Sequence, residues 1–248
     1  WKDAVEGSSA PAEWTVYGPP QLSRFFSNGR VRFEETEKLN LDTEIRFHLA
    51  SDLHNFVNDL LSGEPADSNA SVASGLEKAG YHLRITDDRE TAEAYLRERY
   101  AENPEARFGL LASSKDRDLQ DFGIPNDFQS TKRVRFGPWY SDPEDAPGGY
   151  SCRHLKDAVT EFGAQGLELD AVLLGWGTDF MRENGRWTNR KARGYLRSSQ
   201  VKNPFQLRLN SYRVLLTRGR DGTVVFIPPL PELDETREYL EASGFRRL

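Results

Sequence analysis

The segment from Thr160 to Asp170, TEFGAQGLELD, combines residues that could meet a ligand. Gly163 and Gly166 carry no side chain, so the backbone at these positions can approach a bound group closely. Glu168 could accept hydrogen bonds from the pair of hydroxyls on a ribose. We expect this turn at the carboxyl end of a strand, which is where open α/β sheets bind their ligands. On composition alone, a plain turn between two strands with a solvated glutamate is the simpler alternative.

The segment from Asn210 to Arg220, NSYRVLLTRGR, places Arg218 and Arg220 on either side of a glycine at the end of an amphipathic helix. An arginine in this position could reach a phosphate and stabilise the charge of a phosphoryl group in transfer, as arginine fingers do. The alternative is a pair of cations that the helix dipole favours near the carboxyl terminus. Taken alone, the segment fits this alternative better.

Two other stretches are rich in cations. Lys132 to Tyr140, KRVRFGPWY, interleaves basic and aromatic residues, so an exposed Trp139 or Tyr140 could stack on a base of a single strand. The alternative is that Trp139 anchors a long loop to the core. The most basic stretch, Arg182 to Arg197, either contacts phosphates or is a solvated loop. The net charge of −6 argues against a uniformly basic surface, but it permits a groove that is locally basic.

Strand and helix signals alternate along the chain and would position these segments. Short apolar or β-branched runs predict strands, and apolar residues at helical spacing predict helices. The strands are expected at 30–34, 81–86, 107–112, 132–136, 158–162, 170–176 and 223–227, and the helices at 49–61, 87–100, 205–217 and 233–242. Asp87 and Glu90 resemble a capping box for the second helix. We expect irregular or polar connectors at 1–29, 63–74 and 177–203. This alternation predicts an α/β domain with a mostly parallel central sheet.

Composition narrows the class of protein. The chain has 248 residues, of which 37% are hydrophobic and 29% charged, a balance typical of soluble globular proteins. Cys152 is the only cysteine, which excludes an internal disulfide and a cysteine zinc site. The four histidines show no metal-ligand spacing, so we expect no structural metal. No apolar run reaches the roughly 20 residues of a membrane span, and we expect a cytoplasmic protein without a membrane partner.

Together and in this order, the first two segments resemble motifs of a known class of proteins. QGLELD looks like motif V of superfamily 1 helicases, and YRVLLTRGR looks like motif VI. The fuller resemblance, over residues 39–228, is to a family of bacterial DNA/RNA helicases with a Schlafen-like helicase core. Leu39 to Phe47, LNLDTEIRF, is similar to that family's arginine-bearing segment after its first ATPase domain. Arg107 to Lys115, RFGLLASSK, is similar to its motif IV strand, and Trp14 to Ser23 is faintly similar to its motif III region, although a plain turn also fits there.

The resemblance implies a fold and a division of the chain. The fold would be α/β, a three-layer RecA-like domain of the P-loop NTPase type with a mostly parallel central sheet, and its Walker A half would be absent. Residues 39–248 would form this C-terminal helicase domain, and residues 1–38 an irregular segment that ends a preceding ATPase domain. Because the chain begins with Trp1 and its only methionine is Met181, we interpret it as part of a longer protein.

The resemblance also implies two catalytic arginines. Arg218 would be the motif VI arginine finger that reaches the γ-phosphate across a domain cleft. Arg46 would be a second arginine that senses the phosphate. Alternatively, Arg46 forms an ordinary salt bridge, with Glu44 or Asp42 as the nearest candidates.

Further contacts with ligands are expected around the same motifs. Glu168 would contact the ribose, Gln165 and Gly166 would couple the nucleotide to the nucleic-acid groove, and Arg220 would join them in the nucleotide site. We expect nucleic-acid contacts from Ser113, Lys115, Thr160 and Trp139.

What the sequence lacks also bears on function. It contains no GxxxxGK[ST] segment to hold phosphates and no Asp-Glu pair after an apolar strand to hold magnesium. The resemblance assigns both to an N-terminal domain. ATP and Mg²⁺ are therefore expected in the intact protein only, and neither is expected to bind tightly to this chain. The expected partners are that N-terminal ATPase domain and single-stranded nucleic acid, with DNA favoured over RNA.

Three hypotheses about function follow. The first is half of an ATP-dependent helicase or translocase motor. The second is a non-catalytic module that binds nucleic acid or protein and has a helicase-like fold. The third is an unrelated α/β enzyme whose motif matches are chance, which would follow if Glu168 and Arg218 lay on opposite sides of the fold.

Overall fold

The computed structural model describes residues 2–40, 50–194 and 201–248. Internal contacts divide the chain into two compact units, Trp1–Phe47 and His48–Leu248. Each unit has its own parallel strands.

The first unit is built around two short parallel strands, β1 (Thr15–Gly18) and β2 (Arg32–Glu35). A short helix, α1 (Lys2–Glu6), precedes them. Three 3₁₀ turns lie at Pro11–Glu13, Pro20–Phe25 and Glu37–Leu39.

The core of the first unit is small. The rings of Phe26 and Phe33 stack with their centroids 5.1 Å apart, and Phe26 and Val31 are buried. The strand expected at 30–34 is confirmed as β2, with its start two residues later. The stretch 1–29, expected to be irregular, contains α1 and β1. The strand β1 is stabilised by its pairing with β2. Four residues alone are too short to show a strand pattern.

The second unit contains a sheet of five parallel strands flanked by helices, an α/β architecture consistent with a three-layer RecA-like fold. Its strands are β3 (His82–Thr86), β4 (Phe108–Ala112), β5 (Leu169–Gly175), β8 (Gly219–Phe226) and β9 (Arg246–Arg247), in the spatial order β4-β5-β8-β3-β9. A separate antiparallel hairpin consists of β6 (Met181–Glu183) and β7 (Arg186–Thr188).

The helices of the second unit are α2 (Ala50–Ser62), α3 (Ala66–Lys78), α4 (Arg89–Arg99), α5 (Phe128–Arg133), α6 (Phe136–Ser141), α7 (Pro204–Leu216) and α8 (Asp234–Ala242). Within the described parts of the chain, none of the helices is long and apolar enough to cross a membrane.

Helices cover both faces of the sheet. The crossover from β3 to β4 and the crossover from β5 to β8 run across the sheet in opposite directions, so right-handed connections place α4 and α7 on opposite faces. On one face, Leu96 of α4 packs in a cluster with Leu110 and Leu173. Val172 and Leu174 alternate with Leu173 along β5 and therefore point to the other face, where α7 contacts β5.

The sequence correctly predicts most of this sheet. The strands expected at 81–86, 107–112, 170–176 and 223–227 are confirmed as β3, β4, β5 and β8, and the four expected helices as α2, α4, α7 and α8. The cap of α4 is Asp88 rather than Asp87, because the Asp88 carboxylate accepts hydrogen bonds from the N–H groups of Glu90 and Thr91.

The stretch 63–74, expected to be a polar connector, lies mostly within the helix α3. The buried side chains of α3 are Asn69, Ala73 and Leu76. This set is too polar and too small to produce a hydrophobic helical pattern in the sequence. The amide of Asn69 is buried because it donates to the hydroxyl of Tyr239 on α8, at 3.0 Å.

Two predicted strands are wrong. The stretch 132–136 lies at the junction of the helices α5 and α6, and the Asp127 carboxylate caps α5 by accepting two backbone N–H groups of its first turn. The stretch 158–162 forms a single bridge, between Val159 and Leu111. It does not continue as a strand because the chain turns there, and the N–H of Ala164 donates to the carbonyl of Thr160 at 2.9 Å.

Within the excursion 177–203, residues 177–194 contain regular structure that their polar composition does not indicate. The hairpin β6–β7 carries Trp187, whose ring stacks on Phe180 with centroids 4.8 Å apart and whose Nε1–H donates to the Leu60 carbonyl at 3.1 Å. Arg182 is buried, with its guanidinium 3.8 Å from the centroid of the Tyr239 ring. The start of the basic stretch is therefore part of the core rather than a solvated loop.

We predict that two glycine substitutions change stability in opposite directions. A Cβ at Gly109 would lie 2.7 Å from the ring of Trp139, which is 1% exposed and cannot move aside. We expect Gly109→Ala to lower the free energy of unfolding by about 1–3 kcal/mol, since it overpacks the core. Gly75 lies within α3, and a Cβ added there would meet no other atom within 4 Å. Gly75→Ala should therefore raise that free energy by about 0.5–1 kcal/mol.

The measurement is urea unfolding followed by circular dichroism. Gly75→Ala serves as the matched control, because it adds the same methyl group in open space. A neutral or stabilising Gly109→Ala would show that the ring of Trp139 does not pack on β4 as described.

Candidate functional site

The segment 160–170 and the helix α7 run side by side. The helix begins after Asn203, whose side chain accepts the N–H of Gln206, and Pro204 occupies its first turn. It ends at Thr217, whose hydroxyl donates to the Arg213 carbonyl at 2.9 Å. Because α7 precedes β8 and runs antiparallel to it, the helix begins near the carboxyl ends of the strands and ends near their amino ends. Two buried arginines connect α7 to the segment, one at each end.

Arg208 makes the first connection. It is only 2% exposed, and its Nη2 donates to the Glu161 carboxylate at 2.9 Å. Its Nη1 donates to the Ser113 hydroxyl at 2.7 Å and lies 3.4 Å from the Asp179 carboxylate. Ser113 follows β4 and Asp179 follows β5, so this contact joins α7, the segment 160–170 and the carboxyl ends of two strands.

The two carboxylates around Arg208 have further donors. The Tyr212 hydroxyl donates to Asp179 at 2.7 Å. The N–H and the hydroxyl of Ser114 donate to Glu161 at 2.9 and 2.8 Å. A buried ion pair is stable only when its remaining hydrogen-bonding capacity is met in this way. We call Arg208, Glu161, Asp179, Ser113 and Tyr212 the Arg208 cluster.

Burial raises the pKa of Asp179 to about 6, and the neighbouring Asp116 carboxylate adds to the effect. Burial also raises the pKa of Asp116, although its carboxylate accepts the N–H groups of Leu119 and Thr178, both at 2.7 Å. The buried Arg208 cation thus has more than one buried carboxylate beside it. The excess negative charge favours a proton that stays on Asp179.

Arg218 makes the second connection. It is 7% exposed, and its Nε donates to the Val214 carbonyl at 3.0 Å, at the end of α7. Its Nη1 donates to the carbonyls of Ala164 and Leu167 at 3.4 and 3.3 Å. The contact with Val214 is the one that a cation makes at the carboxyl terminus of a helix. In this structure the guanidinium therefore points into the protein, toward the segment 160–170.

The exposed part of the segment lies beside the residues that the two arginines contact. Phe162 is 68% exposed, and Gln165 and Gly166 are exposed as well. Gly166 has a φ of 84°, a left-handed conformation that favours glycine. At Gly163 it is the chain's own Phe136 ring, not a ligand, that lies on the backbone, because a Cβ there would collide with that ring.

Motifs V and VI meet at the amino ends of their strands. The N–H of Leu169 donates to the Arg218 carbonyl at 2.9 Å, so Glu168 and Arg218 are neighbours. The third hypothesis, that the motif matches are chance, expected Glu168 and Arg218 on opposite sides of the fold, and they are not. We expected this turn at the carboxyl edge of the sheet. Glu161 does lie at that edge, but the expectation is wrong for Glu168. Between the two residues the chain runs back alongside α7, and Glu168 directly precedes the start of β5. The Glu168 carbonyl accepts the Tyr140 hydroxyl at 2.9 Å.

The other predicted site residues differ in exposure. Arg220 is at the surface and forms ion pairs with Asp170 and Asp221. The ammonium of Lys115 contacts the Gly194 carbonyl at 3.4 Å, and its partial burial lowers its pKa.

The remaining predicted contacts with nucleic acid are buried. Ser113 belongs to the Arg208 cluster, Thr160 is buried at the turn, and the ring of Trp139 lies against Gly109. Trp139 thus occupies the place that the alternative gave it, as the anchor of the long loop. Arg46 lies outside the described residues.

The Arg208 cluster is the part of the site that sequence reasoning missed. A signal for it exists: Arg208 and Tyr212 lie one turn apart on α7, and Tyr212 is on its buried side. An arginine on the apolar side of a helix requires a buried carboxylate partner. The sequence does not say which of its acidic residues provides it.

Within 2–40, 50–194 and 201–248, no group of three or more His, Cys, Asp or Glu side chains could hold a metal ion. The sequence also contains no glycine-rich loop of the GxxxxGK[ST] type.

A parallel sheet with helices on both faces, on which the segments that resemble motifs V and VI meet beside one helix, is consistent with a RecA-like helicase domain. The family described as Schlafen group 3, DNA/RNA helicase domain, matches residues 13–229. The chain belongs to this family, and its function is helicase-like and related to nucleic acid. No curated protein matches the chain.

We predict that the Arg208 cluster is required for stability. Arg208→Met leaves Glu161 and Asp179 buried without their cation, and we expect the free energy of unfolding to fall by about 3–5 kcal/mol. Arg213→Met is the matched control on the same helix, because the hydrogen bonds of the Arg213 guanidinium go to the neutral side chains of Asn58 and Asn210. It should cost less than about 1.5 kcal/mol. Equal losses in urea unfolding would contradict the assignment.

We predict a pH dependence that originates at Asp179. Its folded pKa of about 6 exceeds the ordinary aspartate value of about 3.9. The stability from this carboxyl group is therefore present below about pH 4 and is lost as the pH rises through about 6. Asp179→Asn cannot ionise, so it should gain roughly 3 kcal/mol relative to the original chain over that interval.

Urea unfolding at a series of pH values measures this difference. The exposed Asp121→Asn is the control and should leave the pH dependence unchanged. A stability difference between Asp179→Asn and the original chain that is constant with pH would rule out the assignment.

Proposed function

We propose that this chain is the C-terminal motor domain of an ATP-dependent DNA/RNA helicase or translocase. It would supply motif V and motif VI to an ATP site that an N-terminal ATPase domain completes with the phosphate loop and the magnesium carboxylates. The observation that carries the proposal is the assembly of both motifs along α7. Membership of the Schlafen group 3 helicase domain family supports it.

The proposed nucleotide-facing surface lies at the amino ends of β5 and β8. Glu168 would accept the ribose hydroxyls, and Gln165 and Gly166 form the exposed tip next to it. Of the two arginines in TRGR, Arg220 has its guanidinium at the surface, where it could exchange Asp170 for a phosphate oxygen. Arg218 would reach a phosphate only by leaving the carbonyls of the segment 160–170.

Such an exchange would couple nucleotide to nucleic acid. The carbonyls of Ala164 and Leu167, which Arg218 holds here, flank Gln165 and Gly166. Releasing them would free the exposed tip to change conformation. ATP binding and the position of a single strand, DNA in preference to RNA, would then depend on each other.

One observation favours a second candidate function, a non-catalytic binding module with a helicase-like fold. Arg218 is buried, and its guanidinium donates to backbone carbonyls of the chain itself. In this candidate, Arg218 only holds the segment 160–170 in place, and no nucleotide is hydrolysed.

ATP turnover distinguishes the two candidates. The 248-residue chain alone should hydrolyse ATP at the background rate, and a protein that joins it to its ATPase domain should hydrolyse ATP when single-stranded nucleic acid is added. In the joined protein, Arg218→Ala should lower turnover by roughly 1,000-fold or more. The exposed Arg246→Ala on β9 is the control and should leave turnover unchanged.

Strand affinity is measured in the same variants. A loss of fold in Arg218→Ala would weaken strand binding as well, whereas a lost phosphate contact lowers turnover and leaves strand binding intact. A joined protein that binds strands without hydrolysing ATP supports the second candidate. ATP hydrolysis by the chain alone would contradict both.

A further inference from the structure

The helices α5 and α6 carry an exposed group of aromatic and basic side chains. Phe128 is 71% exposed and Phe136 is 45% exposed, and only two residues separate the two helices. Phe162 is 68% exposed and adjoins Phe136, because the Phe136 ring lies on Gly163. Exposed patches that contain several large apolar side chains mark interaction sites more often than single exposed residues do. We call Phe128, Phe136 and Phe162, with Lys132, Arg133 and Arg135, the α5–α6 surface.

The cations of the α5–α6 surface are available to an anion. Lys132, Arg133 and Arg135 are exposed, and within the described parts of the chain none of them forms an ion pair with a carboxylate. Lys132 lies 5.9 Å from the centroid of the Phe128 ring, and Arg135 lies 5.1 Å from that of Tyr150. The chain as a whole has a net charge of −6, so this positive charge is local.

We propose that the α5–α6 surface binds single-stranded nucleic acid, with bases stacked on Phe128, Phe136 and Phe162 and phosphates on the three cations. Aromatic rings interleaved with cations match both parts of a nucleotide, its π-face and its charge. Only unpaired bases present their faces, which favours a single strand over a duplex. This inference rests on the proposed function, because a helicase or translocase domain binds nucleic acid.

The position of Phe136 gives this binding a consequence. Its ring lies on Gly163, three residues before Gly166 in the exposed tip of the segment 160–170. A base stacked on Phe136 would therefore restrain the segment that Arg218 and Arg208 hold at its ends. Strand binding at α5–α6 and nucleotide binding at motif V would act on the same piece of backbone.

Fluorescence anisotropy with labelled oligo-dT and oligo-rU tests stacking. The double variant Phe128→Leu with Phe162→Leu keeps two exposed apolar side chains but removes two π-faces. It should weaken binding of both strands by roughly tenfold or more, since stacking on one base is worth about 1–3 kcal/mol. Phe25→Leu is the control, an aromatic residue that is 46% exposed in the first unit, and it should bind as the original chain does.

A salt titration tests the phosphate contacts. Lys132→Gln with Arg133→Gln should weaken binding and should reduce the slope of log K against log salt by about one per lost contact. The exposed Lys202→Gln is the control and should leave the slope unchanged. A labelled duplex of the same length should bind more weakly than the single strands.

Several results would overturn the proposal. They are undiminished strand binding in the leucine variant, an equal loss in Phe25→Leu, equal affinity for duplex, and no strand binding by the original chain. The last result would leave a protein partner as the occupant. All of these measurements are made without ATP, so they are independent of turnover. If the joined protein fails to hydrolyse ATP, the proposed function is contradicted but strand binding by the α5–α6 surface is not. If the joined protein hydrolyses ATP and the leucine variant binds strands normally, only the proposal for the α5–α6 surface is contradicted.

Discussion

The buried guanidinium of Arg208 is the interaction on which the arrangement of the site depends. A cation removed from water is stable only beside carboxylates whose other hydrogen bonds are also satisfied. Glu161, Asp179 and Ser113 meet this requirement from the segment 160–170 and from the ends of β5 and β4. The requirement fixes where α7 begins relative to the sheet, and with it the course of everything that follows α7.

Motif VI acts on motif V from within the protein. Arg208 holds Glu161 at one end of the segment 160–170, and Arg218 holds the carbonyls of Ala164 and Leu167 at the other. Gln165 and Gly166, which lie between the two carbonyls that Arg218 holds, are left exposed, together with Phe162. A segment held at both ends and free in the middle can respond to a ligand at its tip without loss of its attachment to the fold.

The pairing of the two motifs could be predicted from the sequence, but the exposure of their arginines could not. Arg218 and Arg220 are separated by one glycine in the sequence, yet one is buried against carbonyls and the other forms ion pairs at the surface. The difference arises because Arg218 is next to the end of α7 and beside the returning segment, whereas Arg220 lies on β8 facing Asp170. No local pattern encodes those partners. For the same reason, the sequence offered burial of Trp139 as one alternative but could not identify Gly109 as the residue that its ring contacts.

The sequence by itself determined the elements with a clear apolar pattern. These are the strands β3, β4, β5 and β8, which are short apolar runs, and the helices α2, α4, α7 and α8, which have apolar residues at helical spacing. The sequence also determined the family, through two motifs in a fixed order. Only the tertiary structure decided the rest. The side-chain nitrogen of the buried Asn69 in α3 donates to the hydroxyl of the distant Tyr239, and Glu161 lies in the core because Arg208 reaches it from α7. Buried polar groups are placed by partners far along the chain, and that is information which local periodicity does not contain.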